Sequence, residues 1–554
     1  MYIQEAYRDE QGRPRWRTVE RHGLLSVLVA ADPDAVARLE ARAAELTVGA
    51  GAGRGLVEYD TRVPHSGQAS LVTGWWLVDA VWERLGLGRF YEAERKARGW
   101  GVDVGQAARL LVASRVVAPG SKKAAVEGAG MLLGGPGVGL ADVYRALDGV
   151  AESSLRAQAH ARAALPVSDV SLVFYDVTNY FFETEHGDED PLGVSAPRGQ
   201  ASRERGYSKE CRQTPIIQMG LLLGPEGLPL SFRLFDGNVG DVSTLPAVLA
   251  ELKAVFRPGR VVVVADKALN VNPAAKTLAA GGDGWIFSGS ARKAGHEART
   301  WILDAAGWRW ADQGRTVKLK SRIITRTLGR DPDGRPIVVA EKVICRWSQD
   351  YAVREAAIRD EMLAKARSLA ARPDRWNASN RKGIKKYILN TAADGQPPRL
   401  AIDQEAVDTD AALDGYWLVH TSETTMPDDE ILAHYKQLWR IEETFRVSKT
   451  DLEARPVYVR TRAHIEAHFT VCFLALLITR ILEQWTGLTA SQLHATLAAT
   501  TARHAGKGVY LLDRPHAWNQ IDTATGAPLN HEWATITQLR QWRKDLTQAA
   551  HNHI

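Results

Sequence analysis

The chain has 554 residues, 45% of them hydrophobic and 24% charged, a balance that excludes a disordered or fibrous protein and leaves room for several globular domains. Lys and Arg number 70 against 65 Asp and Glu, so the formal charge is +5. That permits a nucleic-acid partner without requiring one, because the distribution of charge decides more than its sum. Three scattered cysteines, Cys211, Cys345 and Cys472, form no C-x-x-C or Cys/His cluster, which argues against a zinc ribbon or disulfide scaffold and fits a reducing cytoplasm.

In chain order, "MYIQEAYRDEQGRPRWRTVERHG" alternates around a DEQG turn and predicts a β-hairpin carrying Arg8, Arg13, Arg15 and Arg17. "GAGAGRG" (49–55) reads as a joint; its spacing matches neither a dinucleotide fingerprint nor a P-loop. Residues 70–165 show apolar i, i+3, i+4 spacing and predict a helical domain that either reads DNA or packs as a layer. Next come a strand, "SLVFYD", a hairpin across "GPEG", a helix over 243–256 and a second strand, "GRVVVVAD". The continuous valine run suggests parallel pairing in a sheet covered on both faces.

This order, three antiparallel strands and then a helix crossing to a parallel one, is that of an RNase H-like core, and both outer strands end in aspartate. In open α/β sheets, sites gather at strand carboxyl ends. Residues 290–425 mix strands with one helix and predict a β-rich insertion, and 427–554 are mainly helical. No signal segment is evident, and the apolar run "FTVCFLALLI" (469–478) is shorter than the ~20 residues a bilayer requires, so it predicts a core helix and no membrane partner.

The chemistry centres on three carboxylates. Asp176 and Asp266 each close an apolar strand. Glu442 lies in "YKQLWRIEETFRVSK" (435–449), where stepping by three and four puts it on the apolar face with Ile431, Tyr435, Leu438, Phe445 and Lys449. An unpaired carboxylate there costs several kcal/mol or takes up a proton; a structural ion pair with an arginine would also explain it. Three converging carboxylates need a cation between them, and hard oxygen donors suit Mg²⁺ or Mn²⁺. "HIEAH" (464–468) has its glutamate in the wrong place for a zinc-protease helix, and "EHGDED" (185–190) reads as a solvated loop.

Asp176, Asp266 and Glu442 resemble the D-D-E triad of RNase H-like transposases. Tyr435, Glu442 and Lys449 match the Y-x2-R-x3-E-x6-K signature of the IS-four superfamily of insertion sequences, with Leu438 in place of its arginine and Arg440 two residues on. "YDVTNYFFE" resembles the D-x-T segment, and "RGYSKECRQTPIIQMGLLLGPEGLPLSFRLFDGNVGDVSTL" is similar to a run of the IS-sixteen-thirty-four branch. The resemblance implies an Mg²⁺- or Mn²⁺-dependent transposase holding two ions, cutting double-stranded DNA at element ends and joining the 3′-hydroxyl to target DNA as a homodimer in the bacterial cytoplasm. It implies phosphate contacts by Tyr435 and Lys449. Arg440, Arg446, Lys209 and Arg212 are read either as DNA contacts or as solvated charges. For Trp439 and Trp417, base stacking and core packing are both open, with packing favoured.

The expected architecture is α/β: an N-terminal hairpin and linker (1–60), a helical domain (61–165), an RNase H-like core in two parts (166–289 and 426–484) around a β-rich insertion domain (290–425), and a helical C-terminal region (485–554). A catalytically silent DNA-binding descendant and a metal-dependent nuclease without strand transfer are the alternatives.

Overall fold

Burial follows the apolar periodicity. The computed structural model describes residues 1–8, 14–23, 25–50, 69–165, 171–184, 203–206, 213–256, 259–331, 333–373, 383–393, 396–506, 508–529 and 531–553. β1 (Tyr2–Arg8) and β2 (Pro14–Arg21) form the expected antiparallel hairpin, followed by α1 (Leu25–Ala31) and α2 (Ala35–Ala50). Most of "GAGAGRG", all of "EHGDED", and both Lys209 and Arg212 lie outside the described residues.

After the short β3 (Leu71–Val72) come α3 (Trp75–Arg84), α4 (Leu87–Arg98), α5 (Val104–Val117), α6 (Lys122–Glu127), α7 (Leu140–Glu152) and α8 (Ser154–Ala163). Asp103 and Ser121 start α5 and α6 by accepting the backbone N–H three residues on, satisfying donors that a helix start leaves orphaned. α3 is buried on all sides over Trp75–Trp82, as a central core helix.

The central sheet is mixed and has nine strands: β4 (Leu172–Phe181), β5 (Ile216–Leu223), β6 (Pro229–Asp236), β7 (Val262–Ala265), β8 (Gly284–Ser290), β9 (Arg309–Trp310), β10 (Val317–Arg330), β11 (Pro336–Ser348) and, later in the chain, β14 (Tyr416–Thr421). Its order is β6-β5-β4-β7-β8-β14-β11-β10-β9. β4, β5 and β6 are antiparallel, and β4, β7 and β8 run parallel. The β5–β6 turn uses Gly227 at φ +84°, a conformation glycine adopts without strain. Connecting helices α9 (Asp241–Phe256) and α10 (Asn272–Ala280) cover one face with Leu245, Leu249 and Leu278.

Residues 290–425 differ from a free-standing β domain. Here α11 (His296–Leu303), α12 (Gln349–Ala370) and α13 (Gln404–Ala411) accompany a small ribbon of β12 (Ile388–Asn390) and β13 (Leu400–Ile402). The long strands β10 and β11 instead extend the central sheet, and β14 slots between β8 and β11.

The other face is covered by α14 (Asp428–Lys436), α15 (Trp439–Arg446), a π-helical turn at Val447–Asp451 and α16 (Arg462–Thr486). α16 is long and apolar enough to cross a membrane by length and composition, but 89% of its most apolar window is buried inside the protein, as a core helix should be. It packs against α3, α5, α7 and α8 and against the sheet, joining helical layer and sheet in one core. The C-terminal segment is less helical than expected. Between α17 (Ala490–Ala499), α18 (Trp518–Thr525) and α19 (Ile536–His553), strands β15 (Thr501–Gly506), β16 (Val509–Asp513) and β17 (Trp533–Thr535) form a four-stranded sheet with β3. α19 docks on α3, where Trp76 and Trp542 meet edge to face at 5.6 Å.

Candidate active site

The parallel register of β4 and β7 positions the two aspartates. Leu172, Val173 and Phe174 pair with Val262, Val263 and Val264. Continued two residues past the last pair, the same offset matches Asp176 on β4 with Asp266, the first residue after β7. Because side chains alternate, both carboxylates share the face of Phe174 and Val264, the face covered by α15 and α16. The adjoining strand continues the row: Ala265 pairs with Phe287, so Asp266 comes level with Ser288, whose Oγ donates to Asp266 Oδ1 at 2.9 Å. Leu221 and Phe232 on one side and Val419 and Ile344 on the other keep the row's flanks apolar. The polar centre is confined to the ends of β4 and β7.

The glutamate is reached differently from expectation. A single helix through 427–449 would bury Glu442 beside Leu438 and Phe445. The backbone instead turns at Gln437–Leu438 between α14 and α15. Ile441, Thr444 and Phe445 face the core, while Trp439, Glu442 and Arg446 form the exposed stripe. Glu442 is therefore solvent-exposed, so no buried ion pair is needed to explain it.

Tyr435 and Lys449 nevertheless flank the row. Tyr435 packs on Trp417 at 5.4 Å and lines the same crevice as Ser288. Burial raises its pKa, the neighbouring Ser288 side chain opposes this, and the negative charges of Asp266 and Glu442 add to the rise, which keeps the phenol protonated. On the π-helical turn, Lys449 Nζ donates to Thr178 Oγ1 at 2.8 Å and lies over the Tyr180 ring at 5.4 Å. Thr178 shares the face of Asp176, two residues along β4. A cavity of about 360 Å³ opens beside Asp266, Ser288, Tyr435, Trp417 and Arg346.

Other residues singled out in the sequence lie elsewhere. Leu438, in the signature's arginine position, is 7% exposed and belongs to the core, where a guanidinium would have to be buried. Arg440 Nη1 donates to the Pro225 carbonyl at 2.5 Å, under the β5–β6 turn. Arg446 is engaged by Glu443 at 2.8 Å and Asp451 at 3.1 Å. Trp439 is 57% exposed, which corrects the packing reading for it; Trp417 is partly buried against the core. Ser288 was missed because nothing in "WIFSGS" marks a serine whose importance comes from strand pairing.

The paired aspartates supply hard oxygen donors. That suits a divalent cation such as Mg²⁺, which binds through one or two carboxylates and keeps the remaining positions for water and substrate phosphate. Among the described residues, no group of three His, Cys, Asp or Glu is gathered closely enough to hold an ion. The fit therefore rests on the Asp176–Asp266 pair.

A family model described as "Transposase DDE domain" matches residues 182–478, more than half of the chain; the span contains Asp266 and Glu442 and begins just past Asp176. No curated protein matches the chain. Among solved structures, the piggyBac transposase synaptic complex with hairpin DNA is similar at a TM-score of 0.29 and 7% identity, over 68% of this chain and 58% of that one.

Proposed function

Because this chain belongs to the transposase DDE-domain family, we propose that it cuts double-stranded DNA at the ends of a mobile element and joins the freed 3′-hydroxyl to target DNA. The observation that supports this reading is the parallel β4–β7 register, whose 90-residue offset, carried two residues on, matches Asp176 with Asp266 at the end of β7. The strand order β6-β5-β4-β7-β8 supports an RNase H-like core. Asp176 and Asp266 would hold Mg²⁺ or Mn²⁺, and Glu442 would complete the set from α15. Such ions, as a pair, supply Lewis-acid stabilisation to the attacking and leaving oxygens of a phosphodiester.

The chain's own residues orient the strand. The protonated Tyr435 hydroxyl donates to a phosphate oxygen on the Asp266 side. Lys449, held by Thr178, places its ammonium on the Asp176 side. Two protomers, each acting on one element end in the cytoplasm, complete the proposal. A silent DNA-binding descendant is the second reading, favoured by the buried Leu438 where the family signature has arginine.

The test uses labelled duplex from the DNA flanking the gene, with Mg²⁺ or Mn²⁺. Metal-dependent cutting at a repeat boundary is expected, and its loss in Asp176→Asn, Asp266→Asn and Glu442→Gln. Binding without cutting by the wild type would move the assignment to the silent descendant.

A further inference from the structure

A second cavity, of about 390 Å³, lies on the opposite face of the sheet, between β8, β14, β11 and β10 on one side and the segment leading into α11 on the other. It shares Lys267, Ser288, Gly289 and Ser290 with the crevice beside Asp266, so the two meet at the rim formed by the ends of β7 and β8. Its lining is strongly cationic: Lys267, Lys293, Arg322 and Arg326 against one carboxylate, Glu341. That carboxylate is already engaged by Arg326 at 2.6 Å and by His420 at 2.9 Å.

The remaining cations are available to a ligand. Lys267 and Lys293 are exposed and have no ion-pair partner among the described residues. Arg322 pairs at 3.2 Å with Glu297, whose side chain is 88% exposed, and a solvent-exposed pair of this kind is weak and readily exchanged. The Trp301 ring, 4.6 Å away, holds the Arg322 guanidinium at the cavity wall. Three exchangeable positive charges thus surround a space that continues from the acidic pair.

We propose that this cavity binds the phosphodiester backbone of a single DNA strand leaving the cleavage crevice over the rim at Lys267. This inference rests on the DNA-cutting reading above and adds the path of the strand. A strand whose reacting phosphate lies at Asp176 and Asp266 carries further phosphates on either side, and each cation that neutralises one releases counterions. The cavity has the volume of a single small-ligand pocket, which suits one strand rather than a duplex.

Fluorescence anisotropy with a labelled twelve-nucleotide oligo-dT, in EDTA across a KCl series, tests the proposal. Lys293→Gln and Arg322→Gln should each weaken binding at low salt and reduce the slope of log K against log salt by about 0.7, and the double variant by about 1.4. Lys365→Gln, on α12 and ion-paired to Glu361, should leave the slope unchanged. If Arg322→Gln fails to fold, the exposed Lys293→Gln decides alone. Wild-type slopes in the variants, from a protein that binds and cuts flanking duplex, would overturn the strand path and leave the DNA-cutting reading standing. A wild type that binds neither oligo-dT nor duplex would overturn both.

Discussion

Glu341 is the most stringent place to test the packing beneath the site. It lies on β11, is 1% exposed, and ties four strands together. Its Oε1 accepts from Arg326 on β10 at 2.6 Å and from the Trp285 indole on β8 at 3.2 Å; its Oε2 meets His420 Nδ1 on β14 at 2.9 Å. Burial alone would raise its pKa, but the hydrogen bond and charge of His420, with the Arg326 guanidinium, hold it below the ordinary carboxylate range. Glu341→Ala leaves a largely buried guanidinium without its carboxylate, held only by the Asn270 and Asn272 side chains, and a buried indole N–H without its acceptor, a loss of about 3–5 kcal/mol. Replacing both partners, as in Arg326→Met with Glu341→Leu, removes the orphaned charge and should recover most of it.

The assay is urea denaturation followed by tryptophan fluorescence, comparing wild type, both single variants and the pair. Because the carboxylate pKa is depressed in the fold, its stabilisation is present above the unfolded value of about 4.3 and is lost as pH falls through the folded value. The midpoint gap between wild type and Glu341→Ala should therefore narrow toward low pH. A single variant within ~0.5 kcal/mol of wild type, or a double variant no better than the singles, would refute the reasoning.

Ser288→Ala removes the hydroxyl that orients Asp266 and should weaken Mn²⁺ binding about 10- to 100-fold by calorimetry; an unchanged affinity would show that Asp266 needs no such support. Trp439→Ala, at a largely exposed position, should change stability by less than ~0.5 kcal/mol in thermal unfolding, whereas a core tryptophan costs ~3–5 kcal/mol. Lys122 contacts His468 at 3.4 Å, and burial with the nearby Arg115 charge pushes its pKa down to about 8. The unfolded chain holds that proton up to about 10.4, so Lys122→Met should stabilise the protein at pH 7. The gain should shrink between pH 8 and 10.4, and a constant gain across that range would count against an ammonium charged in the fold.

The two aspartates were legible because each follows an apolar run that only a covered strand explains. Their spacing of 90 residues equals the register offset of β4 on β7, but that pairing is non-local and leaves no mark on either segment alone. Glu442 was legible as a residue and not as an environment. Stepping by three and four presumes an unbroken α-helix, whereas the chain turns at Gln437–Leu438 and passes into a π-helix at Val447, so the predicted face is split. β15 and β16 escaped notice because "TARHAG" and "VYLLD" are short and gain their partners from β3 and β17 at distant positions.

The split helix also explains how strands from 290–425 contribute to the site. β14 pairs with β8 through Ser288 and leads directly into α14, so Trp417 on the strand sits under Tyr435 on the helix. Tyr435 then meets Ser288, and Ser288 meets Asp266, a path that closes only because β14 lies next to β8. At the other end, the π-helical turn delivers Lys449 to Thr178 on β4 and bonds Ser448 to the Tyr180 hydroxyl at 2.9 Å. The α14–α15 segment is thereby held to β8 and β14 at one end and to β4, the strand of Asp176, at the other, while Glu442, between them, stays free of core packing. A helix with one continuous apolar face would have buried that carboxylate; the interruption leaves it in solvent, on the stripe it shares with Trp439 and Arg446.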